Sequence, residues 1–323
     1  MKRGSSGLCG VLAIDKPAHI TSHDVVNRVR RITGERRVGH AGTLDPMATG
    51  LMLVGVGAAT RLSPYLTGHD KAYRARIVFG ATTDTDDAEG RIVSFGSTGD
   101  PGAGLEALDG LDAAAVVDGL VGEVEQLPPA YSAIKKNGVT AYKAAREGKS
   151  IELSARTVTV HEARLEKTGT VQAILDDGQG GRFEQELPCW DVYLRVSKGT
   201  YIRSIARDLG CTLGCGAYLG ALRRVSVAGF SIDGACTLDE LERCMQEGRG
   251  LPWCDPTALL GFPVLRLDER QAADVAHGRG LSGAGACPHV SCVADGRLLA
   301  VYKEEQGRLR PATVIPGGVA GVS

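Results

Sequence analysis

The chain has 323 residues, of which 43% are hydrophobic and 23% charged, and its formal net charge at pH 7 is −1. This length predicts two domains, or one large domain with a smaller addition, and the composition is typical of a globular protein with a sizeable core. The sequence contains no apolar run long enough to cross a bilayer, and its first residues are not typical of a signal peptide. Its nine cysteines are typical of free thiols in a reducing cytosol, so we expect a cytoplasmic protein.

The first elements along the chain are a strand and a basic helix. The apolar run "GVLAIDKP" predicts a strand that ends at Pro17. In "TSHDVVNRVRRITG", Thr21 or Ser22 can cap a helix that Gly34 ends, and the spacing of the valines predicts a buried face.

The N-terminal region is cationic although the whole chain is balanced. Its first forty residues contain eight Lys or Arg and three Asp or Glu. Arg28 and Arg31 lie on the side of the helix that is predicted to face solvent. Such an excess indicates either a phosphate-binding face or a solvated helix whose acidic partners lie elsewhere in space.

The remaining elements predict a mixed α+β fold. Strands and helices alternate without a strict strand–helix–strand rhythm, which favours a mixed sheet over a doubly wound one. In chain order we first expect a strand or short helix in "GLMLVGVGAAT", a strand in "KAYRARIVFG", an acidic turn in "TTDTDDAEGR" and a Gly-rich insertion near residues 95–112. We then expect a helix in "AAAVVDGLVGEV" and a loop, short strand, turn and helix in "QLPPAYSAIKKNGVTAYKAAREG". Strands in "TVTVHEARLEKTG" and "CWDVYLRV" around a "DDGQGG" turn should follow, then a helix from about Tyr201, and after residue 250 a helix and a small β-meander.

One stretch is built to hold a carboxylate. "GHAGTLDPMATG" places Asp45 among Gly39, Gly42 and Gly50, and Pro46 restricts the backbone of Asp45 directly. The stretch predicts either a tight turn that Asp45 caps or a loop that aims a reactive carboxylate. The phosphate-binding, dinucleotide-binding and zinc-protease motifs are missing, and the one C-x3-C pair has no second pair, so we expect neither a cofactor nor a metal.

Taken together, the motifs resemble those of a known family. "GHAGTLDPMATGLMLVGVGAATR" is similar to the nucleophile motif of the TruB family, the tRNA pseudouridine-55 synthases. "LAIDKPAHITSHDVVNRVRRI", "KAYRARIVFGATTDTDDAEG", "QLPPAYSAIKKNGVTAYKAAREG", "VSKGTYIRSIARDLG" and "GAYLGALRRVSV" resemble its other blocks, in order, over roughly residues 10–232. The Gly-rich insertion is not part of the family pattern.

The resemblance implies an isomerase that converts one T-loop uridine of tRNA to pseudouridine after flipping it out. It implies that Asp45 is the nucleophile, that Arg203 pairs with Asp45, and that Tyr73 stacks on the target base. Without the resemblance, Arg203 would be interpreted as an exposed helix arginine and Tyr73 as a strand residue packed on a sheet face. In substrate binding, the expected residues are His40, Lys16, Tyr201, Arg28 and Arg31.

The expected architecture is the mixed, mostly antiparallel sheet of the pseudouridine synthase fold with a small β-rich, PUA-like C-terminal domain. Residues 1–250 would form the catalytic domain and residues 251–323 the RNA-binding domain. We expect a monomer that binds the T-arm of tRNA, requires no protein partner and contacts no membrane. The alternative is a tRNA-binding or tRNA-folding protein whose catalytic role is secondary.

Overall fold

A computed structural model describes residues 6–94, 105–132, 135–136, 139–140, 153–176, 182–282 and 287–322. The strands are β1 (Gly10–Lys16), β2 (Val38–His40), β3 (Thr49–Val56), β4 (Lys71–Phe79), β5 (Thr82–Thr83), β6 (Ile92–Ser94), β7 (Gly122–Gln126), β8 (Lys135–Lys136), β9 (Val139–Thr140), β10 (Arg156–Asp176), β11 (Arg182–Val196), β12 (Ala217–Val227), β13 (Phe230–Ser231), β14 (Trp253–Cys254), β15 (Val264–Arg266), β16 (Leu281–Ser282), β17 (His289–Ala294), β18 (Arg297–Glu305) and β19 (Arg308–Val319). The α-helices are α1 (Ser22–Thr33), α2 (Ser63–Thr67), α3 (Ala113–Asp118), α4 (Ile202–Leu213), α5 (Leu238–Gln246), α6 (Pro256–Leu260) and α7 (Glu269–Ala276), and short 3-10 helices cover Gly57–Leu62, Leu105–Leu108 and Ile232–Gly234.

The chain divides into two compact units. The first unit comprises Met1–Asp70 and Arg224–Ser323, and the second comprises Lys71–Arg223. Strand β12 therefore begins in the second unit and ends in the first. None of the helices within the described ranges is both long and apolar enough to span a membrane.

In the first unit, β1 and β3 form the centre of a sheet on which α1 packs. Strand β1 pairs antiparallel with β3 along its whole length, while β14 pairs with its other edge and β2 pairs with β3. The valines of α1 are buried against Leu12, Met52 and Val54 of these strands. Burial of this apolar face is what stabilises a helix of this length.

Both ends of α1 follow from local sequence. The side chain of Thr21, not that of Ser22, caps the helix by accepting from the Asp24 amide, and the Asp24 side chain accepts from the Thr21 amide in return. The helix ends at Gly34, which has a φ of 64°. The predicted helix and its capping are confirmed.

The C-terminal part of the first unit is rich in β-strands, as predicted. Strands β17, β18 and β19 form an antiparallel meander, and β15 adds to β17 in parallel. Helix α7 packs on this sheet through Val275. Leu259 and Leu260, just after residue 250, share a core with Val11 and Leu53 of the central strands. The domain boundary at residue 250 stays a prediction.

The second unit is built on a long antiparallel hairpin. Strands β10 and β11 pair from Val160–Val196 to Asp176–Arg182, and β4 and β7 add to the two outer edges. Leu187 and Val78 lie in the core of this sheet. The strands around the predicted "DDGQGG" turn are confirmed, while residues 177–181 of the turn lie outside the described residues. The pairing in both units is mostly antiparallel, so the expected mixed fold is confirmed.

Some element boundaries differ from those predicted. The single helix expected in "AAAVVDGLVGEV" is wrong, because α3 ends at Gly119 and β7 then pairs with β10. Two glycines interrupt the helical pattern, and Gly122, with a φ of 134°, starts the strand. The stretch after the Asp45 motif, predicted as a strand or a short helix, contains both, the strand β3 and then a 3-10 helix. Residues 95–104 of the insertion and the helix expected within 141–150 lie outside the described residues.

Candidate active site

Asp45 lies half-buried in the loop between two paired strands, β2 and β3. We call residues 41–48 the aspartate loop. Gly42 and Gly50 both have a φ of 104°, as the sequence predicts for a backbone that only glycine adopts easily. A Cβ on Gly50 would lie 2.3 Å from the carbonyl oxygen of Arg224. Gly39 differs, because its φ is not positive and a Cβ there would meet Thr60 Cγ2 at an ordinary 3.7 Å.

Lys16 fixes the loop on the C-terminal side of Asp45. Its side chain has 0% exposure. The ammonium donates to the carbonyls of Pro17 at 2.8 Å, Pro46 at 3.2 Å and Ala48 at 2.7 Å. These contacts give Lys16 a role in holding the backbone around Asp45, and direct binding of substrate by Lys16 stays a prediction.

Ser22 and Arg224 fix the loop on the N-terminal side. Ser22 Oγ donates to the Leu44 carbonyl at 2.9 Å and accepts from the Leu44 amide at 2.8 Å. The buried Arg224 guanidinium donates to the carbonyls of Gly42 at 3.2 Å and Thr43 at 3.4 Å. Neither residue was predicted from the sequence to belong to the site. For Ser22, the only signal is a small polar residue next to a helix cap, and for Arg224 there is no local signal.

His40 ends β2 immediately before the loop. Its pKa is lowered from the ordinary 6.5, first by burial and then by the positive charge of Arg224 and by His23. Nδ1 is buried and has no hydrogen-bond partner among the described residues. The imidazole is therefore neutral at pH 7, and one of its ring nitrogens is buried without a hydrogen bond from the described residues.

The basic residues of α1 differ in their surroundings. The Arg28 guanidinium pairs with Asp239 at 2.6 Å and Glu242 at 3.5 Å, both on α5. Arg31 is exposed near the C-terminal end of the helix. The carboxylates of Asp239 and Glu242 are acidic partners of the kind expected if α1 is a solvated helix and not a phosphate-binding face. RNA binding by either residue stays a prediction.

In the second unit, Arg203 is buried rather than exposed, so the alternative of a surface arginine is wrong. It lies in the first turn of α4 with 5% exposure. Its guanidinium donates to the carbonyls of Thr85 at 3.0 Å and Tyr131 at 2.9 Å, and lies 3.5 Å from a carboxylate oxygen of Asp87. Pairing of Arg203 with Asp45 stays a prediction.

Asp87 is a site residue that was not predicted from the sequence. It has 4% exposure, and its Oδ1 accepts from Thr85 Oγ1 at 2.6 Å and from the Glu89 amide at 3.1 Å. The sequence signal was present, since "TTDTDDAEGR", which contains Asp87, was predicted as an acidic turn. A short turn of this kind fixes its own carboxylate, which then orients Arg203.

Tyr73 and Tyr201 lie on elements that fix their backbones. Tyr73 is in β4, pairs with Leu194 and has 7% exposure. Tyr201 precedes α4, and its backbone amide and carbonyl both bond the side-chain amide of the buried Gln126, at 2.8 and 3.0 Å. The guanidinium of Arg156 lies 4.7 Å from the centre of the Tyr201 ring. The roles of the two tyrosines toward a substrate stay predictions.

Family models cover most of the chain. "TruB family pseudouridylate synthase (N terminal domain)" matches residues 30–202, "tRNA pseudouridylate synthase B C-terminal domain" matches 203–251, and "tRNA Pseudouridine synthase II, C terminal" matches 262–316. The first match alone spans more than half of the chain.

Similar proteins cover nearly its full length. The tRNA pseudouridine synthase B of Thermobifida fusca is 45% identical over 312 residues, which are 95% of this chain and 99% of that protein. The protein of the same name from Mycobacterium bovis (strain BCG / Pasteur 1173P2) is 41% identical over 315 residues, 95% of this chain and 98% of that protein. Among solved structures, one of an archaeal Nop10-Cbf5 complex matches with a TM-score of 0.62 at 22% identity, over 95% of this chain and 86% of the other. The structural match shows a shared fold.

Proposed function

The chain belongs to the TruB family of pseudouridylate synthases, which makes it an isomerase, and we propose that it converts uridine 55 in the T-loop of tRNA to pseudouridine with Asp45 as nucleophile. The names of the relatives support uridine in tRNA as the substrate. The proposal adds the position of the uridine, the role of the aspartate and the flipping of the base.

The observation that carries the proposal is the way in which Asp45 is held. Hydrogen bonds from Ser22 and Lys16 fix the residues directly before and after Asp45, Leu44 and Pro46. A cap needs no such support from distant parts of the chain. A nucleophile does, because reaction requires the attacking oxygen to stay close to and aligned with the reacting carbon.

The isomerisation exchanges one bond for another without net redox change. The Asp45 carboxylate attacks C1′ of the ribose, and the C1′–N1 bond breaks with its electron pair on uracil. The base turns, C5 attacks C1′, and the carboxylate leaves with the C1′–O bond electrons. Loss of the C5 proton restores the aromatic ring, and N1 takes up a proton. In the competing route, the carboxylate removes a ribose proton instead.

The remaining site residues are proposed to handle the flipped nucleotide. Extruding a base costs a few kcal/mol, which stacking on an aromatic ring offsets. We assign the stacking to Tyr73 and the holding of the displaced nucleotide to His40, whose ring is neutral at pH 7. Arg203 is proposed to pair with the Asp45 carboxylate and stabilise its negative charge, and Tyr201 is proposed to support the pocket.

RNA phosphates are proposed to bind the cationic N-terminal region. Arg31 is exposed and suits this role, whereas Arg28 would have to leave Asp239 and Glu242 or share its charge with them. We propose that the protein acts in the cytoplasm as a monomer without a protein partner.

The test of the chemistry uses tRNA labelled with tritium at uracil C5. Bond formation at C5 must release the label to water, so the wild-type protein should release it from one uridine per tRNA. Asp45→Asn keeps the shape but not the charge and should slow release by about 10⁴-fold or more. Asp109→Asn, which changes an exposed aspartate in a turn, is the matched control and should leave release unchanged. Release by Asp45→Asn at the wild-type rate would refute the nucleophile assignment.

The position of the target is tested with a second substrate. A tRNA in which cytidine replaces uridine 55 should still bind but release no label. Continued release would refute the position. Tight binding of tRNA by the wild-type protein with no release at all would favour the alternative, a tRNA-binding or tRNA-folding protein.

A further inference from the structure

Arg224 is a fully buried cation beside the aspartate loop. It lies in the last part of β12, within the first unit, and has 0% exposure. Its Nε donates to the Leu51 carbonyl at 2.6 Å, and its two terminal nitrogens donate to the carbonyls of Thr43 and Gly42. Within the part of the chain that the structure describes, Arg224 makes no ion pair with a carboxylate.

Burying an arginine in this way lowers the stability of the fold, so we expect the residue to do something that an apolar side chain cannot. Removing a charge from water without a counter-charge is unfavourable, and carbonyl acceptors offset only part of that cost. The planar guanidinium can donate in three directions at once, which neither lysine nor a neutral side chain does with the same geometry. Arg224 uses this to join two carbonyls before Asp45 to one in β3.

The arrangement complements that of Lys16. Lys16 holds the carbonyls of Pro46 and Ala48, after Asp45, and Arg224 holds those of Gly42 and Thr43, before it. The backbone of Arg224 also lies so close to Gly50 that no side chain fits there. The same residue thus fixes the entry to the loop and its return into β3.

We propose that Arg224 is a positioning residue, which fixes the backbone before Asp45 so that the carboxylate is aligned for reaction, and that it acts on the rate of isomerisation rather than on tRNA binding. This inference rests on the proposed role of Asp45. Because Arg224 is fully buried, it does not contact RNA, and its effect passes through the backbone of the loop.

The test separates rate from binding in the full-length protein. Arg224→Gln and Arg224→Lys are assayed by single-turnover release of tritium at saturating tRNA, and the Kd for tRNA is measured separately. We expect Arg224→Gln to lower the rate at least about 30-fold, because small misplacements of a reacting group have effects of this size. Arg224→Lys, which can reach one or two of the carbonyls, should recover part of the rate. The Kd should stay within about threefold for both.

Arg297→Gln is the matched control for loss of stability. Arg297 also donates to carbonyls in the first unit, to Gly317 at 2.8 Å and to Gly318 at 3.3 Å, but these lie in β19. Because Arg297 lies in the expected RNA-binding domain, the rate of this variant is also measured at saturating tRNA, where weaker binding does not lower it. The variant should be less stable than wild type and should retain the wild-type single-turnover rate per folded molecule, with the folded fraction measured by circular dichroism at the assay temperature.

Each other outcome overturns the inference. A wild-type rate in Arg224→Gln, an effect confined to the Kd, or an equal loss of rate in Arg297→Gln would each exclude positioning by Arg224. If neither Arg224 variant folds while Arg297→Gln does, the residue serves the fold itself and the inference is also wrong. Absence of release by the wild-type protein would instead refute the proposed function.

Discussion

The aspartate loop in the first unit and the Arg203 site in the second both set a buried guanidinium against backbone carbonyls. The two sites differ in whether a carboxylate lies beside the guanidinium. Arg203 donates to two carbonyls and faces the buried carboxylate of Asp87, while Arg224 donates to three carbonyls and, among the described residues, pairs with no carboxylate. The first arrangement fixes a side chain, and the second fixes a stretch of backbone.

This difference determines what each arginine can do. A guanidinium oriented by a neighbouring carboxylate keeps its direction and can present its remaining charge to another group. Arg224, by contrast, donates to carbonyls of the aspartate loop and of β3, so its hydrogen bonds hold that stretch of backbone in place. We therefore expect substitutions in the second unit to act through an uncompensated charge, and those in the first to act through the shape of the loop.

The largest effect is expected from a substitution that removes the charge pair between Arg203 and Asp87. Arg203→Gln leaves the carboxylate of Asp87 buried without its partner, which should lower the free energy of unfolding by about 3–5 kcal/mol in urea titrations. Arg207→Gln, one turn later on α4 and more exposed, loses its pair with Asp86 and should cost about 1 kcal/mol or less.

A double variant tests whether the uncompensated charge of Asp87 causes the loss of stability. Arg203→Gln combined with Asp87→Asn removes both charges, so its loss of stability should be clearly smaller than the sum of the two single losses. Simple additivity would show that the two side chains are not coupled.

The next effect concerns the shape of the loop. Gly50→Ala places a Cβ 2.3 Å from the Arg224 carbonyl oxygen at a φ of 104°, so steric overlap and backbone strain add. We expect a loss of about 3 kcal/mol or more in the free energy of unfolding. Gly229→Ala has a φ of 76° and no atom within 4 Å of the new Cβ among the described residues, so it should cost only the strain, about 1–2 kcal/mol. Equal losses would contradict the close contact.

A smaller effect is expected at Ser22. Ser22→Ala leaves the buried amide and carbonyl of Leu44 without the hydroxyl that bonds both, which should cost about 1–3 kcal/mol. Thr212→Ala removes a bond from an exposed hydroxyl to the Asp208 carbonyl on α4 and should change stability by about 0.5 kcal/mol or less. Thermal and urea unfolding measure both variants, and a neutral Ser22→Ala would show that the loop does not depend on this anchor.

Features set by neighbouring residues could be predicted from the sequence, whereas contacts between distant parts of the chain could not. Helix α1 and its end at Gly34 were predicted, and its cap was predicted at Thr21 or Ser22, because these features depend on neighbours within four residues. Gly42 and Gly50 were identified because glycine is the residue that most easily adopts a positive φ, so its presence in a turn is a sequence signal for that conformation. The partners of Arg224 were out of reach, because it meets Gly42 across 182 positions of the chain. Only the pairing of strands determines such a contact.

The smallest expected effect is the titration of His40, which reports the charge of Arg224 directly. Burial, Arg224 and His23 lower the pKa of His40 in that order, so NMR titration of the imidazole should give a pKa below 6.5 in the folded protein. Because the unfolded chain binds a proton more readily, the contribution of His40 to stability is complete above pH 6.5 and is lost as the pH falls toward the folded pKa. Arg224→Gln removes one of the three causes, so the pKa should rise but stay below 6.5, whereas Arg224→Lys, which keeps the charge, should change it less. A pKa that is the same in all three proteins would show that the buried guanidinium exerts no field at the start of the aspartate loop.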